Sequence, residues 1–561
     1  MAMTEPQGVA HIIVDSLFKA GVKVVFGIPG AKVDAIFNVL LDHPEIHLVV
    51  CRHEQNAAMM AAAVGRITSI PGVCIATSGP GAGNLTTGLV TATTECDPVV
   101  ALIGSVPRLL STKKTHQSMK ALDILGPTAK TAEEIGVEDQ AAEVVLAAFR
   151  TASTFPKGAT VVSIPADVAS GKSKIGSFPS QAFEPPKYGP APKVSLDKVA
   201  RMIENAKSPM LFLGMRASSP ITVDAVREFL QRFPIPTIET FQAAGAVSKE
   251  LAYLFYGRVG LFRNQTGDKL ISQSDLILTL GYDPTEYDAN AWNPRGDRNI
   301  VHIDFHSCDY GAYYHPEIEL LGSIAANLTY LYGEIKHVND ATKSGFCQDL
   351  SKEFVAWQQG SEVSRTSGLV HPLHFITLLQ QNVSKDTTVT VDVGTVYIYM
   401  MRYFFAYEPR RLLCSDGQQT LGVGLPWAIA SSLVQEPRCS QKVISMSGDG
   451  GFMFSSQEMS TAVLQGCNIT HFIWNDGGYN MVEFQEEMKY GRSSGIKLGG
   501  VDFVKFAESF GAKGFRVNDS SELEGVMKEA LAWKGVSLVD VQIDYSGNLG
   551  LAQNLIQDSL G

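Results

Sequence analysis

Short apolar runs rich in β-branched residues alternate with stretches of helical periodicity along almost the whole chain. In the first part of the sequence these runs are VKVVFG, IHLVVC, GVCIATSG and DPVVALIG. Such alternation is typical of parallel sheets that are covered by helices. The pattern therefore predicts an α/β fold.

Two stretches interrupt this alternation. Residues 178–193 contain five prolines and little hydrophobic periodicity, which is typical of a linker. Residues 335–370 form a polar helical stretch that ends shortly before Pro372. We therefore expect three domains, each a mainly parallel sheet flanked by helices, and the first and third could be structurally related. The predicted boundaries are 1–185, 190–345 and 365–561.

The middle domain repeats the pattern, with SPMLFLGM, IPTIET, SDLILTLGY and NIVHIDF as buried strands. No G-x-G-x-x-G motif follows any predicted strand in this or the other domains. The sequence therefore does not support a dinucleotide site of the usual Rossmann kind.

Composition narrows the choice of partners. The 561 residues are 45% hydrophobic and 18% charged, and the formal net charge is −11, so nucleic acid and anionic membranes are poor candidates. No apolar segment approaches the roughly 20 residues of a membrane span, and the N-terminus does not resemble a signal peptide. The eight cysteines lack the spacing of metal or redox motifs, so we expect reduced thiols in a cytoplasmic protein.

The clearest chemical signal lies in KVISMSGDGGFMFSSQEMSTAVLQGCNITHFIWNDGGYNM, which predicts a strand, a glycine turn, a helix and a second strand. Asp449 and Asp476 follow the two strands, one crossover apart. A right-handed βαβ unit brings the carboxyl ends of its two strands to the same edge of the sheet. Two carboxylates at this edge, beside a helix N-terminus, suit Mg²⁺ that is bound to a diphosphate. Alternatively, Asp449 caps its helix and Asp476 belongs to an ordinary Asp-Gly turn. The presence of both aspartates at this spacing favours the metal site over the cap and the turn.

The segment from Gly448 to Asn480 resembles the thiamine diphosphate motif, a Gly-Asp-Gly followed one crossover later by an Asn-Asn or Asp-Asn pair. Over all three blocks the chain is similar to the acetohydroxyacid synthase and pyruvate decarboxylase superfamily. The resemblance implies pyrimidine-binding, Rossmann-like central and diphosphate-binding domains, with Mg²⁺ held by Asp449, Asp476 and the Gly478 carbonyl. One departure is Gly477, where the family usually has Asn. The missing side chain affects the expected rigidity of this loop more than the expected metal binding, because both carboxylates are kept.

The same resemblance assigns further cofactor contacts. The backbone of Val393 and Gln419 would reach the pyrimidine, and Leu421 would wedge under the cofactor, where many relatives carry Met. The remaining implied cofactor-binding residues are Gly394, Thr395, Val396, Gly448, Gly450, Gly451, Tyr479, Asn480 and Met481.

In the first domain, Glu54 begins a helix rich in small residues within RHEQNAAMMAAAVGR. By itself it could serve the helix dipole or pair with Arg52. By resemblance it is the activating glutamate, which hydrogen bonds to the cofactor's pyrimidine ring. Lys32, in GIPGAK, and Gln117, in HQSM, would then be catalytic and substrate-contacting residues, with His116 in support.

The resemblance also implies the reaction. Gln485 occupies a helix position where biosynthetic relatives place Trp, and LGYDPTEYDANAWNP lacks their flavin-binding stretch. Both features resemble the catabolic acetolactate synthases of acetoin and butanediol formation. We expect a flavin-independent enzyme that uses thiamine diphosphate and Mg²⁺ to condense two pyruvates into 2-acetolactate and CO₂ through an enamine, with Gln485 in the substrate pocket. Alternatives are a pyruvate decarboxylase or oxidase and, more distantly, a noncatalytic scaffold. Family analogy implies a homodimer or homotetramer with shared sites.

Overall fold

Three parallel sheets of six strands form the framework of the chain. The structure is a computed structural model that describes residues 5–261, 265–359 and 368–548. The predicted α/β class and the parallel sheets flanked by helices are confirmed.

The first sheet has the strand order β3-β2-β4-β5-β7-β6, and all its pairs are parallel. A separate antiparallel pair joins β1 to β8. The strands of this part are β1 (Gln7–Gly8), β2 (Val24–Gly27), β3 (His47–Val50), β4 (Gly72–Ala76), β5 (Val99–Ser105), β6 (Thr131–Glu134), β7 (Ala159–Pro165) and β8 (Lys172–Ser173). Its helices are α1 (Val9–Lys19), α2 (Asp34–Leu40), α3 (Glu54–Thr68), α4 (Pro80–Asn84), α5 (Thr86–Thr94), α6 (Ala121–Leu125), α7 (Ala141–Ser153) and α8 (Ala166–Ala169).

The central sheet has the order β11-β10-β9-β12-β13-β14, again all parallel. Counted within the domain this is the order 3-2-1-4-5-6 of the Rossmann fold. Its strands are β9 (Pro209–Leu213), β10 (Thr237–Glu239), β11 (Phe255–Arg258), β12 (Leu276–Leu280), β13 (Ile300–Asp304) and β14 (Ile318–Leu321). Its helices are α9 (Lys193–Asn205), α10 (Pro220–Arg232), α11 (Thr266–Gln273), α12 (Ala289–Trp292) and α13 (Ile324–Glu334), and α14 (Gly345–Gln359) follows.

The third sheet, with the order β16-β15-β17-β18-β20-β19, repeats the topology of the first sheet strand for strand. Its strands are β15 (Val389–Val391), β16 (Leu412–Cys414), β17 (Val443–Gly448), β18 (Ile469–Asn475), β19 (Lys513–Val517) and β20 (Ser537–Gln542). Its helices are α15 (Pro372–Asn382), α16 (Thr395–Tyr403), α17 (Gly424–Leu433), α18 (Asp449–Phe452), α19 (Met459–Leu464), α20 (Asn480–Tyr490), α21 (Phe503–Ser509) and α22 (Leu523–Ala532). The expected relation between the first and third blocks is therefore present in the fold.

Most strands are buried along their whole length, because helices cover both faces of each parallel sheet. The first and third domains share one hydrophobic core, in which α3 packs against α17. Five alanines of α3 are fully or almost fully buried there, and their small side chains allow the close approach: Ala57, Ala58, Ala61, Ala62 and Ala63. This packing fixes the position of the turn that carries Glu54.

Three smaller expectations can be compared with the structure. All eight cysteines are unpaired, and five of them are buried. Within the described ranges, no helix has the length and apolarity that a membrane crossing requires. The proposed boundaries 1–185, 190–345 and 365–561 fall outside the three sheets, although residues 1–4, 365–367 and 549–561 lie outside the described residues. These boundaries stay a prediction.

Candidate active site

A cavity of about 370 Å³ opens at the carboxyl ends of β15, β17 and β18 in the third domain. Ligands of parallel α/β sheets bind at this edge, because the loops and helix N-termini that follow the strands converge there. The cavity is lined by every predicted cofactor residue of the third domain and by Gln485: Val393, Gly394, Thr395, Val396, Gln419, Leu421, Gly448, Asp449, Gly450, Gly451, Asp476, Gly478, Tyr479, Asn480, Met481 and Gln485.

Asp449 and Asp476 approach each other at this edge because β17 and β18 are adjacent parallel strands. Burial raises the pKa of Asp449 to about 6. Burial, followed by repulsion from Asp449, raises the pKa of Asp476 to about 7. The Oδ1 atom of Asp449 is buried without a hydrogen-bond partner. Two crowded carboxylates with an unsatisfied oxygen fit a bound divalent cation, which would remove the repulsion and fill the missing contact.

Nowhere in the described ranges, this site included, is there a group of three or more His, Cys, Asp or Glu side chains that could hold a metal ion. A cation held by Asp449 and Asp476 would therefore need backbone and ligand oxygens to complete its coordination. Mg²⁺ is commonly bound this way, through one or two carboxylates together with phosphate oxygens.

The glycine-rich turn after β17 leaves space for a neighbouring side chain of the cavity wall. A Cβ on Gly450 would lie 2.6 Å from the ring of Tyr479, so only glycine fits there. Gly477 has φ +78°, a left-handed conformation that Gly and Asn both adopt readily. The departure from the family pattern at Gly477 therefore keeps the backbone conformation that the usual Asn would allow.

Asp392 is a site residue that the sequence analysis missed. It is buried just after β15, and its carboxylate accepts hydrogen bonds from the backbone N–H groups of Val393 at 2.8 Å, Gly422 at 2.9 Å and Gly424 at 3.2 Å. It thus ties together the two segments that line one wall of the cavity. Burial raises the pKa of Asp392 to about 7. The only sequence signal was an aspartate directly after a short apolar strand.

Asn480 connects the opposite wall. Its Oδ1 accepts from the Thr395 hydroxyl at 2.9 Å and from the Asn548 amide at 2.8 Å. The loop after β18 is therefore fastened to the start of α16, which follows β15.

One face of α20 completes the cavity with side chains at helical spacing. Met481, Gln485 and Met488 lie one to two turns apart on this face, and Phe484 lies beside them. Gln485 is therefore placed at the cavity and is only partly exposed. The sequence analysis missed Phe484 and Met488, and also Leu261, Trp474 and Tyr545. These large apolar groups had no motif to distinguish them from core residues.

Glu54 begins α3 and is buried. Its Oε2 accepts from the Asn84 amide at 2.9 Å, while Arg52 bonds elsewhere, to Ser460 and the Val50 carbonyl. The simple Arg52 pairing considered for Glu54 is therefore absent. The turn before α3 is held from the third domain, because Glu458 Oε1 accepts from the backbone N–H of Arg52 at 2.9 Å.

Glycines of the first domain pack closely against Glu54, Gln117 and Lys32. A Cβ on Gly81 would lie 3.2 Å from Oε1 of Glu54, and one on Gly79 would lie 3.2 Å from Gln117. Lys32 packs its backbone and Cβ against Gly104 at the end of β5. Glu54, Lys32 and Gln117 do not line the third-domain cavity of their own chain. The predicted residues thus form two separate groups.

Three family models match successive parts of the chain. Residues 7–124 match the N-terminal binding domain of thiamine pyrophosphate enzymes, residues 196–331 match their central domain, and residues 392–541 match their C-terminal binding domain. Thiamine pyrophosphate is another name for thiamine diphosphate. All residues that line the cavity lie within the part matched by the C-terminal model except Leu261 and Tyr545.

Curated relatives are similar over nearly the whole chain. The chain is 44% identical to an acetolactate synthase of Bacillus subtilis, with 98% of this chain and 96% of that protein covered. It is 43% identical to a catabolic acetolactate synthase of Raoultella terrigena, with 96% and 95% covered. It is 27% identical to the large subunit of acetolactate synthase isozyme 1 of Escherichia coli, with 95% and 94% covered. The chain therefore belongs to the acetolactate synthase family of thiamine-pyrophosphate-dependent enzymes.

Proposed function

We propose that this chain condenses two pyruvate molecules into 2-acetolactate and CO₂, with thiamine diphosphate and Mg²⁺ in the third-domain cavity. The observation that carries the proposal is the pair Asp449 and Asp476, whose crowded carboxylates and unsatisfied oxygen line a cavity at the carboxyl edge of the sheet. The names of the relatives at 43% and 44% identity supply the reaction.

Mg²⁺ would be held by Asp449, Asp476 and the carbonyl of Gly478, and it would neutralise the repulsion between the two carboxylates. Gly450 and Gly451 at the start of α18 line the same cavity, and their backbone would lie beside the diphosphate. Gly394 to Val396 would line the diphosphate from the other side, while the backbone of Val393 and Gln419 would contact the pyrimidine. Asp392 would keep this wall in place through its three N–H contacts.

When bound, thiamine diphosphate supplies the nucleophilic carbon that adds to the keto group of pyruvate. The chain's part is to orient the cofactor, to hold a proton and to exclude water. Leu421 projects into the cavity and would support the bent form of the cofactor. Phe484, Met488 and Trp474 present apolar surface that keeps water away from the reacting atoms.

Glu54 would hold the proton that is shared with the pyrimidine ring nitrogen. Asn84 donates to its Oε2, which leaves Oε1 for the cofactor, and the lack of a side chain on Gly81 gives access to Oε1. Since Glu54 does not line the cavity of its own chain, we propose that it faces the cavity of a partner chain. The active unit is then a homodimer or a homotetramer with shared sites.

The substrate would meet Lys32 and Gln117 from one chain and Gln485 from the other. Lys32 can balance the pyruvate carboxylate, and Gln485 presents an amide where an aromatic side chain would favour a larger second substrate. The enzyme is proposed to be catabolic, as the relative from Raoultella terrigena is by its name, and to be flavin-independent.

The test is incubation of the purified chain with pyruvate, thiamine diphosphate and Mg²⁺, without flavin, followed by product identification. Acetolactate supports the proposal. Acetaldehyde would identify a pyruvate decarboxylase, and acetyl phosphate formed with phosphate and oxygen would identify a pyruvate oxidase. No turnover by a folded protein that binds the cofactor would favour the noncatalytic scaffold. Asp449→Ala is the control, because it should lose both cofactor binding and product.

A further inference from the structure

A second, smaller cavity lies where the three domains meet, away from the proposed active site. Its volume is about 50 Å³, several times the roughly 10 to 15 Å³ that one water molecule requires. Its wall includes Asp97 and Lys157 from the first domain, Arg216 and Gln242 from the central domain, and Arg410 from the third. None of these residues lines the larger cavity.

Several hydrogen-bond donors of this cavity lack an acceptor. The Nε of Arg410 and the Nε2 of Gln242 are buried with no partner. Arg410 uses its Nη1 on the Ile67 carbonyl and on the Ser69 hydroxyl, and neither of these acceptors carries a charge. The Lys157 ammonium lies 5.0 Å from the centre of the Phe155 ring, and no hydrogen bond or ion pair of this group is found among the described residues. Buried donors without acceptors are costly, so they indicate a missing ligand.

The carboxylates near the cavity are already engaged with two other arginines. Asp97 and Glu95 both bind Arg66, at 2.6 Å and 2.5 Å. Arg216 is paired with Asp283 and, at 2.8 Å, with Asp304. Among the described residues these acids form their ion pairs with Arg66 and Arg216, and neither Lys157 nor Arg410 forms an ion pair with a carboxylate.

The positive charges of Lys157 and Arg410 also repel each other. Burial and then repulsion from Arg410 lower the pKa of Lys157 to about 8, and this repulsion exceeds the attraction of Asp97. Burial lowers the pKa of Arg410 to about 10. An anion between them would remove this repulsion and accept from the orphaned donors.

We propose that this junction binds one small oxyanion, a phosphate or a carboxylate, through Lys157, Arg410 and the amide of Gln242. A group of four or five heavy atoms with several acceptor oxygens matches both the volume and the donor set. Because one donor comes from each domain, the anion would hold the three domains together. Lys157 is partly exposed, which leaves a route for exchange with solvent.

The experiment is calorimetric titration of the holoenzyme with inorganic phosphate and, separately, with acetate. Saturating thiamine diphosphate and Mg²⁺ keep the larger cavity filled. Lys157→Met and Arg410→Met remove donors of the junction, and Lys187→Met removes the same charge from an exposed linker residue as the matched control. Thermal unfolding with and without each anion provides a second readout.

We expect saturable binding of one anion per chain by the wild type and by Lys187→Met. Binding should weaken about tenfold or more in Lys157→Met, since this variant loses the charge-assisted hydrogen bonds of the ammonium to the anion. Tighter binding of phosphate than acetate would identify a phosphate site, and the reverse order a carboxylate site. If the wild-type holoenzyme binds neither anion saturably, or if Lys157→Met binds as tightly as Lys187→Met, the proposal is wrong. Lys157→Met keeps the test decisive if Arg410→Met does not fold.

Discussion

Replacing Asp449 by Asn should make the metal-free protein more stable and the loaded protein less stable. In the metal-free fold residue Asp449 is 5% exposed, the Oδ1 of its carboxylate has no hydrogen-bond partner, and its pKa rises from an ordinary 3.8 to about 6. A shift of about two pKa units corresponds to about 3 kcal/mol, and we expect about 1 to 3 kcal/mol because the carboxylate faces an open cavity. The neutral amide avoids this cost.

The sign of the pH dependence follows from the raised pKa. Below about pH 4 the carboxyl is protonated in both the folded and the unfolded chain, so the variant has no advantage. Between about pH 4 and pH 6 the unfolded chain loses its proton before the folded chain does, so wild-type stability falls relative to that of the variant. Between about pH 6 and pH 7 the advantage still grows, because Asp476 ionises in this range and only a charged Asp449 repels it, and above about pH 7 the advantage stays constant.

The assay is urea denaturation with EDTA across this pH range, repeated at pH 7.5 with thiamine diphosphate and Mg²⁺. The ligands should stabilise the wild type by mass action and leave Asp449→Asn unchanged, which reverses the order of stability. Asp540→Asn is the control, because Asp540 is also buried but accepts from Arg516 at 3.0 Å and Asn475 at 2.9 Å. Replacing the Asp540 carboxylate should destabilise both the metal-free and the loaded protein. If Asp449→Asn were the less stable protein in EDTA, Asp449 would be a structural residue and our reasoning would be refuted.

Three further outcomes are expected. Glu54→Gln should lower kcat about a hundredfold or more with an unchanged fold, because the amide cannot share an acidic proton with the cofactor; near-normal turnover would refute the assignment. Mixing Glu54→Gln subunits with Asp449→Ala subunits should restore activity, since a mixed dimer contains one intact site. If activity does not recover although subunit exchange is proven, both residues belong to the site of a single chain. Gln485→Trp should raise the preference for 2-ketobutyrate over pyruvate as second substrate about tenfold to two-hundredfold. Product ratios from a competition between the two keto acids measure this preference. An unaltered ratio in an active variant would exclude Gln485 from the pocket.

The cavity was predictable from sequence because its chemistry follows strand order. Asp449 and Asp476 follow consecutive strands of one βαβ unit, and parallel strands must end at the same sheet edge. The glycines next to them signalled a tight turn and a close ligand approach. Local sequence therefore determined both the residues and their meeting point.

Asp392 and Glu458 could not be predicted in the same way. Asp392 bonds to Gly422 and Gly424, and Glu458 bonds to the turn before α3 in another domain, so their roles depend on contacts between remote segments. In the central sheet, β11 and β14 were missed for a different reason. They are edge strands of only four residues each, and β14 is partly exposed, so neither shows a long apolar run.

The third-domain cavity is proposed to carry the condensation of two pyruvates. Nuclear magnetic resonance of ¹³C-labelled pyruvate, followed with thiamine diphosphate and Mg²⁺ and without flavin, tests it most directly. The wild type should consume two pyruvates for each CO₂ released and yield 2-acetolactate, while Asp449→Ala should leave pyruvate unchanged. One CO₂ for each pyruvate, with acetaldehyde or an acetyl product, or full activity of Asp449→Ala, would contradict this function of the cavity.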